Sequence, residues 1–171
     1  GIDGLGYNSE FSGGSSSTIV PKLRTFHVSL NKKMKEKNPM FENVWYDGTN
    51  DYGQCTFDKG LAGHNSKNFG DFNSVCYSLF FNYNWNDGVD LPTSVEKAKS
   101  LKRDPLDLYA GINMQGGQPK YNSWTHLKNY PISIGLWGAH SYNMFWESRG
   151  ELGSDPAVKQ EAYLLRTERY F

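Results

Sequence analysis

Asn8 and Glu10 stand two residues apart in the stretch GYNSEF. On an extended strand, residues i and i+2 face the same side with their Cα atoms about 6.5 Å apart, so both side chains reach one small molecule. A carboxyl group that gives up and retakes a proton, beside an amide that donates and accepts hydrogen bonds, suits cleavage of a sugar carrying its own N-acetyl nucleophile. Retaining enzymes that attack with a protein group need a second carboxylate. Substrate-assisted ones do not, because the 2-acetamido oxygen attacks the anomeric carbon. The plainer alternative is that Asn8 caps a turn and Glu10 is solvated in the adjoining Ser/Gly-rich run SGGSSST. Position in the fold separates the two.

Five stretches read as buried strands: IDGLGYN from Ile2, FENVWYD from Phe41, YSLFFNYNW from Tyr77, LDLYAGIN from Leu106 and SIGLWGAH from Ser133. Several are near-continuous in apolar and aromatic residues, the pattern of a parallel sheet covered on both faces. Helical patterns lie between them. Ile19, Leu23, Phe26, Leu30 and Met34 recur at spacings of three and four and predict one apolar face. The Gly- and Asn-rich connection 58–74 predicts a weaker helix. Thr93 and Glu96 resemble a capping box ahead of a Val95, Ala98, Leu101 stripe, and Asp155–Pro156 reads as the N-cap and first turn of a helix carrying Val158, Ala162 and Leu165.

Strand and helix alternating predict parallel βαβ units. Each strand is followed by polar and aromatic residues: Asn8 and Glu10; Tyr46 and Asp47; Asn82, Asn84 and Trp85; Asn113 and Gln115; then His140. That is the end at which a (β/α)8 barrel places its chemistry. Doubly wound sheets also bind ligands there, and periodicity does not choose between them. The stretch GLGYN lacks the third glycine of the dinucleotide fingerprint, and there is no Walker pattern. The reading favoured is an α/β fold, a TIM-type barrel to which this chain supplies about the last five strands, with residues 1–171 as one partial catalytic domain. The upstream strands would belong to the same parent protein, since five strands do not close an eight-stranded barrel.

Acidic and basic side chains number 18 each, which argues against nucleic acid or an anionic membrane as partner. No apolar run approaches the ~20 residues of a membrane helix. Cys55 and Cys76 fall at opposite ends of one βα unit and are expected to be free thiols. No zinc-ligand spacing surrounds His64, and neither metal nor cofactor is expected. His27, beside the first helical stripe, reads as structural. Asp3 and Asp47 are candidates to support the site from behind, with a solvated strand cap as the alternative for Asp47.

The run GIDGLGYNSEF resembles the strand–loop motif of glycoside hydrolase family 85, the endo-β-N-acetylglucosaminidases, in which a Gly-aromatic-Asp-Gly stretch leads to a catalytic Asn-x-Glu pair. VWYDGTNDYGQCTFDKGL is similar to the family's Trp-Tyr-Asp segment, LFFNYNW to its Asn-Tyr-x-Trp strand, and DLYAGINMQGG to the strand after it; SIGLWGAH matches more loosely. The resemblance implies hydrolysis of the GlcNAc-β-1,4-GlcNAc core bond of N-linked glycans with retention. It implies Glu10 as general acid and base, Asn8 as the group that orients the acetamido, Tyr46 as its second support, and Trp85 as a surface for sugar. Phe57 stands where the family often has Trp in a Trp-Gln-Asn run; it keeps a stacking surface and lacks an indole N–H. Asn84, Trp137 and His140 are further candidates for sugar contact, while Trp124 and Trp146 read as core. An N-glycan or glycoprotein substrate implies an extracellular or cell-surface location. Two rivals are a non-hydrolytic glycan-binding protein on a decayed barrel and a hydrolase of another 2-acetamido sugar such as chitin. The Asp-x-Glu signature of family 18 chitinases is absent from IDGLGYNSEF.

Overall fold

A computed structural model describes residues 3–10, 18–113, 124–138 and 155–170. Five strands, β1 (Gly4–Tyr7), β2 (Glu42–Tyr46), β3 (Ser78–Phe81), β4 (Leu108–Asn113) and β5 (Ser133–Trp137), form one sheet in the order β1-β2-β3-β4-β5. Every neighbouring pair is parallel. A doubly wound sheet reverses its strand order at a switch point. Here the order runs without reversal, which is the winding of a barrel, and the chain forms part of a (β/α)8 barrel. All five expected strands occur, each shorter than the stretch that predicts it. Helices α1 (Ile19–Lys35), α2 (Ser66–Phe69), α3 (Asp90–Ser100), α4 (Trp124–Leu127) and α5 (Pro156–Tyr170) lie between and after them. Among the described residues no helix is long and apolar enough to cross a membrane.

The register divides the residues between two faces. On one, Trp45, Leu79, Phe81, Leu108, Ala110 and Ile112 join Leu61, Phe69, Leu91 and Ala98 from the helical layer in a single core cluster. Each such large apolar side chain contributes about 1.5–3 kcal/mol by leaving water. The other face carries Gly4 and Gly6; Glu42, Val44 and Tyr46; Ser78 and Phe80; Tyr109, Gly111 and Asn113; Ser133, Gly135 and Trp137. The continuous apolar runs are therefore half misleading, because this inner face mixes glycine, aromatic and polar residues. At its lower end Glu42 accepts from Tyr109 Oη (2.8 Å) and from Ser78 Oγ, so the half-buried carboxylate is satisfied. Above, the Phe80 ring lies across the space that Gly111 and Gly135 leave open.

The α1 stripe is corrected in part: Leu23 packs against the core as expected and Leu30 and Met34 are half-buried, but the fully buried positions fall one residue on from Ile19, Phe26 and Leu30. Val20, His27 and Asn31 are buried, whereas Ile19 is exposed and Phe26 is 58% exposed. The helix turns its polar residues inward because the sheet offers partners: Asn43 Nδ2 lies 2.9 Å from His27 Nδ1, and Asn31 Nδ2 donates to Val75 O at 3.2 Å. The rings of Tyr7, Trp45 and Tyr77 surround His27, and burial lowers its pKa, so it is a neutral core residue as expected.

The capping box at Thr93 is also corrected. α3 begins at Asp90, and Thr93 N already donates to Val89 O inside it. The preceding turn makes the start instead: Asn86 O accepts from Asp90 N and Leu91 N, while Asp90 Oδ2 accepts from Asn86 N at 2.8 Å. Val95 and Ala98 are buried as predicted. Asp155 caps α5 through Ala157 N (2.9 Å), with Pro156 in its first turn, but only Ala162 of the three stripe residues packs on the core; Val158 and Leu165 are exposed. The connection 58–74 holds only the four-residue α2, and both cysteines are free. Gln115, His140, Trp146 and the Trp124 side chain lie outside the described residues.

A methyl group at Gly135 would fall inside the Phe80 ring. Gly135→Ala is expected to lower stability by about 1–3 kcal/mol through overpacking. A thermal melt equal to wild type would show that Phe80 does not occupy that space.

Candidate active site

The Asn8–Glu10 segment follows directly on β1 and is anchored through its middle residue. Ser9 is buried, while Asn8 and Glu10 on either side are exposed. Thr49 Oγ1 donates to Ser9 O at 2.8 Å and lies 3.3 Å from Ser9 Oγ. Thr49 is itself held, because its carbonyl accepts from Trp45 Nε1 (3.2 Å) and Asn68 Nδ2 (3.0 Å). Arg24 of α1 donates to Asn68 Oδ1 at 3.0 Å, and Asp51 takes the backbone amides of Lys67 (3.1 Å) and Asn68 (3.0 Å). The sequence reading missed Ser9, Thr49 and Asn68. The signal available to it was local: the run GTND after the Trp-Tyr-Asp segment, rich in groups that bond to backbone.

Gly48 lets the two strand ends meet. A methyl there would stand 2.7 Å from Ser9 O and 3.3 Å from both Glu10 Cγ and Tyr46 Cε1. Glu10 and Tyr46 thus converge over a residue with no side chain. Around Tyr46 the rings of Trp137 (centroids 6.2 Å, 12° between planes), Phe80 (5.8 Å, 67°) and Phe57 (6.4 Å, 50°) form an aromatic wall. Trp137 is 36% and Phe57 39% exposed, so each leaves surface open to a ligand. Phe57 has φ 50°, the left-handed region, where a bulky residue is strained by about 1–3 kcal/mol unless its surroundings impose it. The turn before it does so: Asn50 Oδ1 accepts from Tyr52 N and Gln54 N, Gly53 takes φ 81°, and Cys55 bridges back to Thr49.

Burial pushes the Tyr46 hydroxyl up to about 12, with the Glu10 charge adding to the effect and a hydrogen bond from Tyr83 opposing it. Tyr46 is therefore a neutral donor at ordinary pH. Tyr83, which the sequence reading also missed, is raised mainly by burial. Asp47 is 0% exposed, which overturns the solvated-cap alternative. Its Oδ2 accepts from Asn65 Nδ2 at 2.6 Å, and its Oδ1 has no partner. Burial, then the charge of Asp58, raises its pKa well above the ordinary 3.8 against the Asn65 bond, so the site disfavours the charged form of Asp47.

The structure does not bring every expected residue to the site. Trp85 is corrected: it is 2% exposed, in the core cluster, and its indole N–H donates to Gly111 O at 2.8 Å. A buried indole needs such a partner, and burial leaves Trp85 no open face for sugar. Asn84 beside it is exposed, as expected of a contact residue. Asp3 is exposed, at the opposite end of β1 from Glu10. His64 pairs with Asp58 at 2.8 Å, and among the described residues no three His, Cys, Asp or Glu side chains converge to hold a metal.

Two substitutions probe this geometry. A carboxyl whose pKa is raised by folding favours the native state below 3.8 and costs stability as pH climbs from there through the folded value. Asp47→Asn removes that ionisation, so the variant should melt above wild type at neutral pH and coincide with it near pH 4 and below, in a series of thermal melts. A wild type that gains stability across that window would mean that Asp47 is ionised in the fold. Gly48→Ala should reduce turnover by about 10²-fold, the scale for misplacing reacting groups by about 1 Å, with unchanged kinetics counting against the convergence of Glu10 and Tyr46.

The profile of glycosyl hydrolase family 85 matches residues 1–168. No curated protein matches the chain. Among solved structures, the glycoside hydrolase domain of Endo-D from Streptococcus pneumoniae R6 superposes with a TM-score of 0.71 at 20% identity, over 92% of this chain and 25% of that one. The chain thus spans about a quarter of that relative's length, and the likeness supports the barrel winding described above. The match along nearly its whole length places the chain in glycosyl hydrolase family 85.

Proposed function

We propose that the protein to which this chain belongs hydrolyses the GlcNAc-β-1,4-GlcNAc core bond of N-linked glycans, with retention and without a protein nucleophile. Membership of family 85 supports the glycosidase class. The observation that carries the finer reading is the contrast between two carboxyl groups. Glu10 is exposed on an anchored segment beside Tyr46, while Asp47, next to Tyr46 in sequence, is fully buried and its charged form disfavoured. A carboxyl enclosed in this way does not reach an anomeric carbon, which favours the substrate's own acetamido oxygen for that step.

In this reading Asn8 and Tyr46 hold the acetamido group against C1. Glu10, as the acid, passes its proton to the glycosidic oxygen as the C1–O bond breaks. The acetamido oxygen forms the new bond to C1, giving an oxazoline-type intermediate. Water then attacks C1, Glu10 takes the water's proton, and the acetamido group is released, so two inversions yield net retention. Trp137, Phe57 and Asn84 flank the sugar, and Phe57 offers a ring face without a donor. His140 belongs to the same proposed set by its place after β5. A substrate of this class is met outside the cell, which supports an extracellular or cell-surface location.

Incubating the full-length protein with a high-mannose glycopeptide should yield a peptide retaining one GlcNAc, detected by mass spectrometry. Glu10→Gln should lower turnover by about 10²–10⁴-fold, the contribution of a general acid, while glycopeptide binding persists. Binding without release in wild type would favour the non-hydrolytic reading, and release of chitotetraose fragments in place of the core product would favour another 2-acetamido substrate.

A further inference from the structure

We infer that Asp58 is a positioning residue for the site around Tyr46: its carboxylate and its carbonyl hold Phe57 in the left-handed conformation that keeps the Phe57 ring in the aromatic wall. The inference rests on the proposed reading of Phe57 as a sugar contact and adds to it a residue that acts through that ring.

Packing alone does not fix the ring where it stands. Its φ of 50° is one that a bulky residue keeps only where its surroundings impose it. The ring is 39% exposed, and among the described residues the ring it meets is that of Tyr46, at 6.4 Å and 50°. Phe57 also lines an open groove of about 600 Å³ between residues 56–63 and the start of α3, which leaves room for a phenyl ring to turn away from Tyr46. What holds the ring is therefore the backbone on either side of it.

Asp58 restrains that backbone in two ways. Its carbonyl accepts from Asn82 N at 2.9 Å, which ties it to the turn after β3. Its carboxylate reaches back across Phe57: Thr56 Oγ1 donates to Oδ2 at 2.9 Å, and His64 Nε2 lies 2.8 Å from Oδ1. Both oxygens are engaged, and the side chain is 16% exposed, so it is withdrawn from water further than the partners of an ordinary surface pair. The groups it joins are themselves held. Thr56 N donates to Gly48 O at 3.0 Å, and His64 O accepts from Asp51 N at 2.7 Å. Asn65, fully buried after His64, donates to Asp47 Oδ2 (2.6 Å) and Gly60 O (2.8 Å) and accepts from Ala62 N (2.7 Å). The residues before and after Phe57 are thus fixed to the ends of β2 and β3, and the Asp58 carboxylate joins them to each other.

The test is a double-mutant cycle in the full-length protein: wild type, Asp58→Ala, Phe57→Ala and the double variant, with kcat and KM measured on the glycopeptide and a thermal melt for each. Phe57→Ala should raise KM about tenfold, the scale of a lost aromatic contact. Asp58→Ala should raise it by a similar factor with kcat within about twofold, the mark of lost uniform binding. In the Phe57→Ala background Asp58→Ala should leave KM unchanged, because residues acting as a unit are not additive. If Asp58→Ala does not fold, Thr56→Val at the exposed end of the bracket replaces it, with a KM rise of about threefold, one hydrogen bond's worth, that again vanishes without the Phe57 ring. Equal rises in both backgrounds, a KM that no variant changes, or a fall in kcat in place of the rise in KM overturns the inference. If wild type releases no product, the proposed reaction fails on its own, and calorimetry of the glycopeptide on the same proteins replaces kinetics. An affinity loss in Asp58→Ala that vanishes on Phe57→Ala then sustains the positioning role, and equal affinities, or no binding at all, overturn it.

Discussion

A buried hydroxyl-to-carbonyl bond joins the two strand ends on which the site is built. Thr49 donates to Ser9 O, and Ser9 is the residue between Asn8 and Glu10. Two exposed functional side chains on a short segment would otherwise sample many rotamers and backbone positions, at about 1–2 kcal/mol of backbone entropy per residue fixed. Anchoring the middle residue fixes the segment without touching either functional group. The anchor is strong because Thr49 O is taken by Trp45 and Asn68, and Asn68 by Arg24, so the constraint runs from the outer helix through the loop to the Asn8–Glu10 segment.

The same logic explains the distribution of glycine and large rings. The outer face of the sheet supplies stability through conventional apolar packing. The inner face gives up that packing at Gly111 and Gly135 so that the Phe80 ring can pack edge-on against Tyr46 and the Tyr83 ring has room beside it. Gly48 gives up a side chain so that Glu10 and Tyr46 approach. Local penalties gather at this end: the left-handed Phe57 and the unpartnered Asp47 Oδ1. Such features persist where surrounding structure over-determines them, and the dense bonding of residues 47–58 provides that determination.

Much of the fold was legible in the sequence because it depended on local pattern. Each strand was marked by an apolar run and each strand end by polar residues, and both signals are read within about ten residues. Periodicity did not choose between barrel and doubly wound sheet, since it does not encode strand order; the polar strand ends and the missing phosphate motifs favoured the barrel, and the strand order bears that out. The α1 face was misplaced for a related reason. Phe26 outranks His27 on any hydropathy scale, but Asn43, Tyr7, Trp45 and Tyr77 together make a better pocket for an imidazole than the surface makes for a phenyl ring. Of the candidate site, Asn8 and Glu10 were singled out by their types and spacing, and Tyr46 and Phe57 by the family resemblance. Ser9, Thr49, Gly48 and Tyr83 were not, because their importance lies in whom they meet across the sheet.

Trp85 shows where residue type alone misleads. A tryptophan following a strand end invites a sugar-stacking role, yet the same residue is the one most able to fill a core while giving its N–H to a carbonyl. Gly111 O supplies that carbonyl from the neighbouring strand, two pleats from where Trp137 stands on β5 against Tyr46. Gly111 therefore acts on both faces: its carbonyl holds Trp85 in the outer core, and its missing side chain makes room for Tyr83 on the inner one. A residue at that position answers to packing on both faces at once, which ties the stability of the sheet to the placing of the Phe80 and Tyr83 rings beside Tyr46.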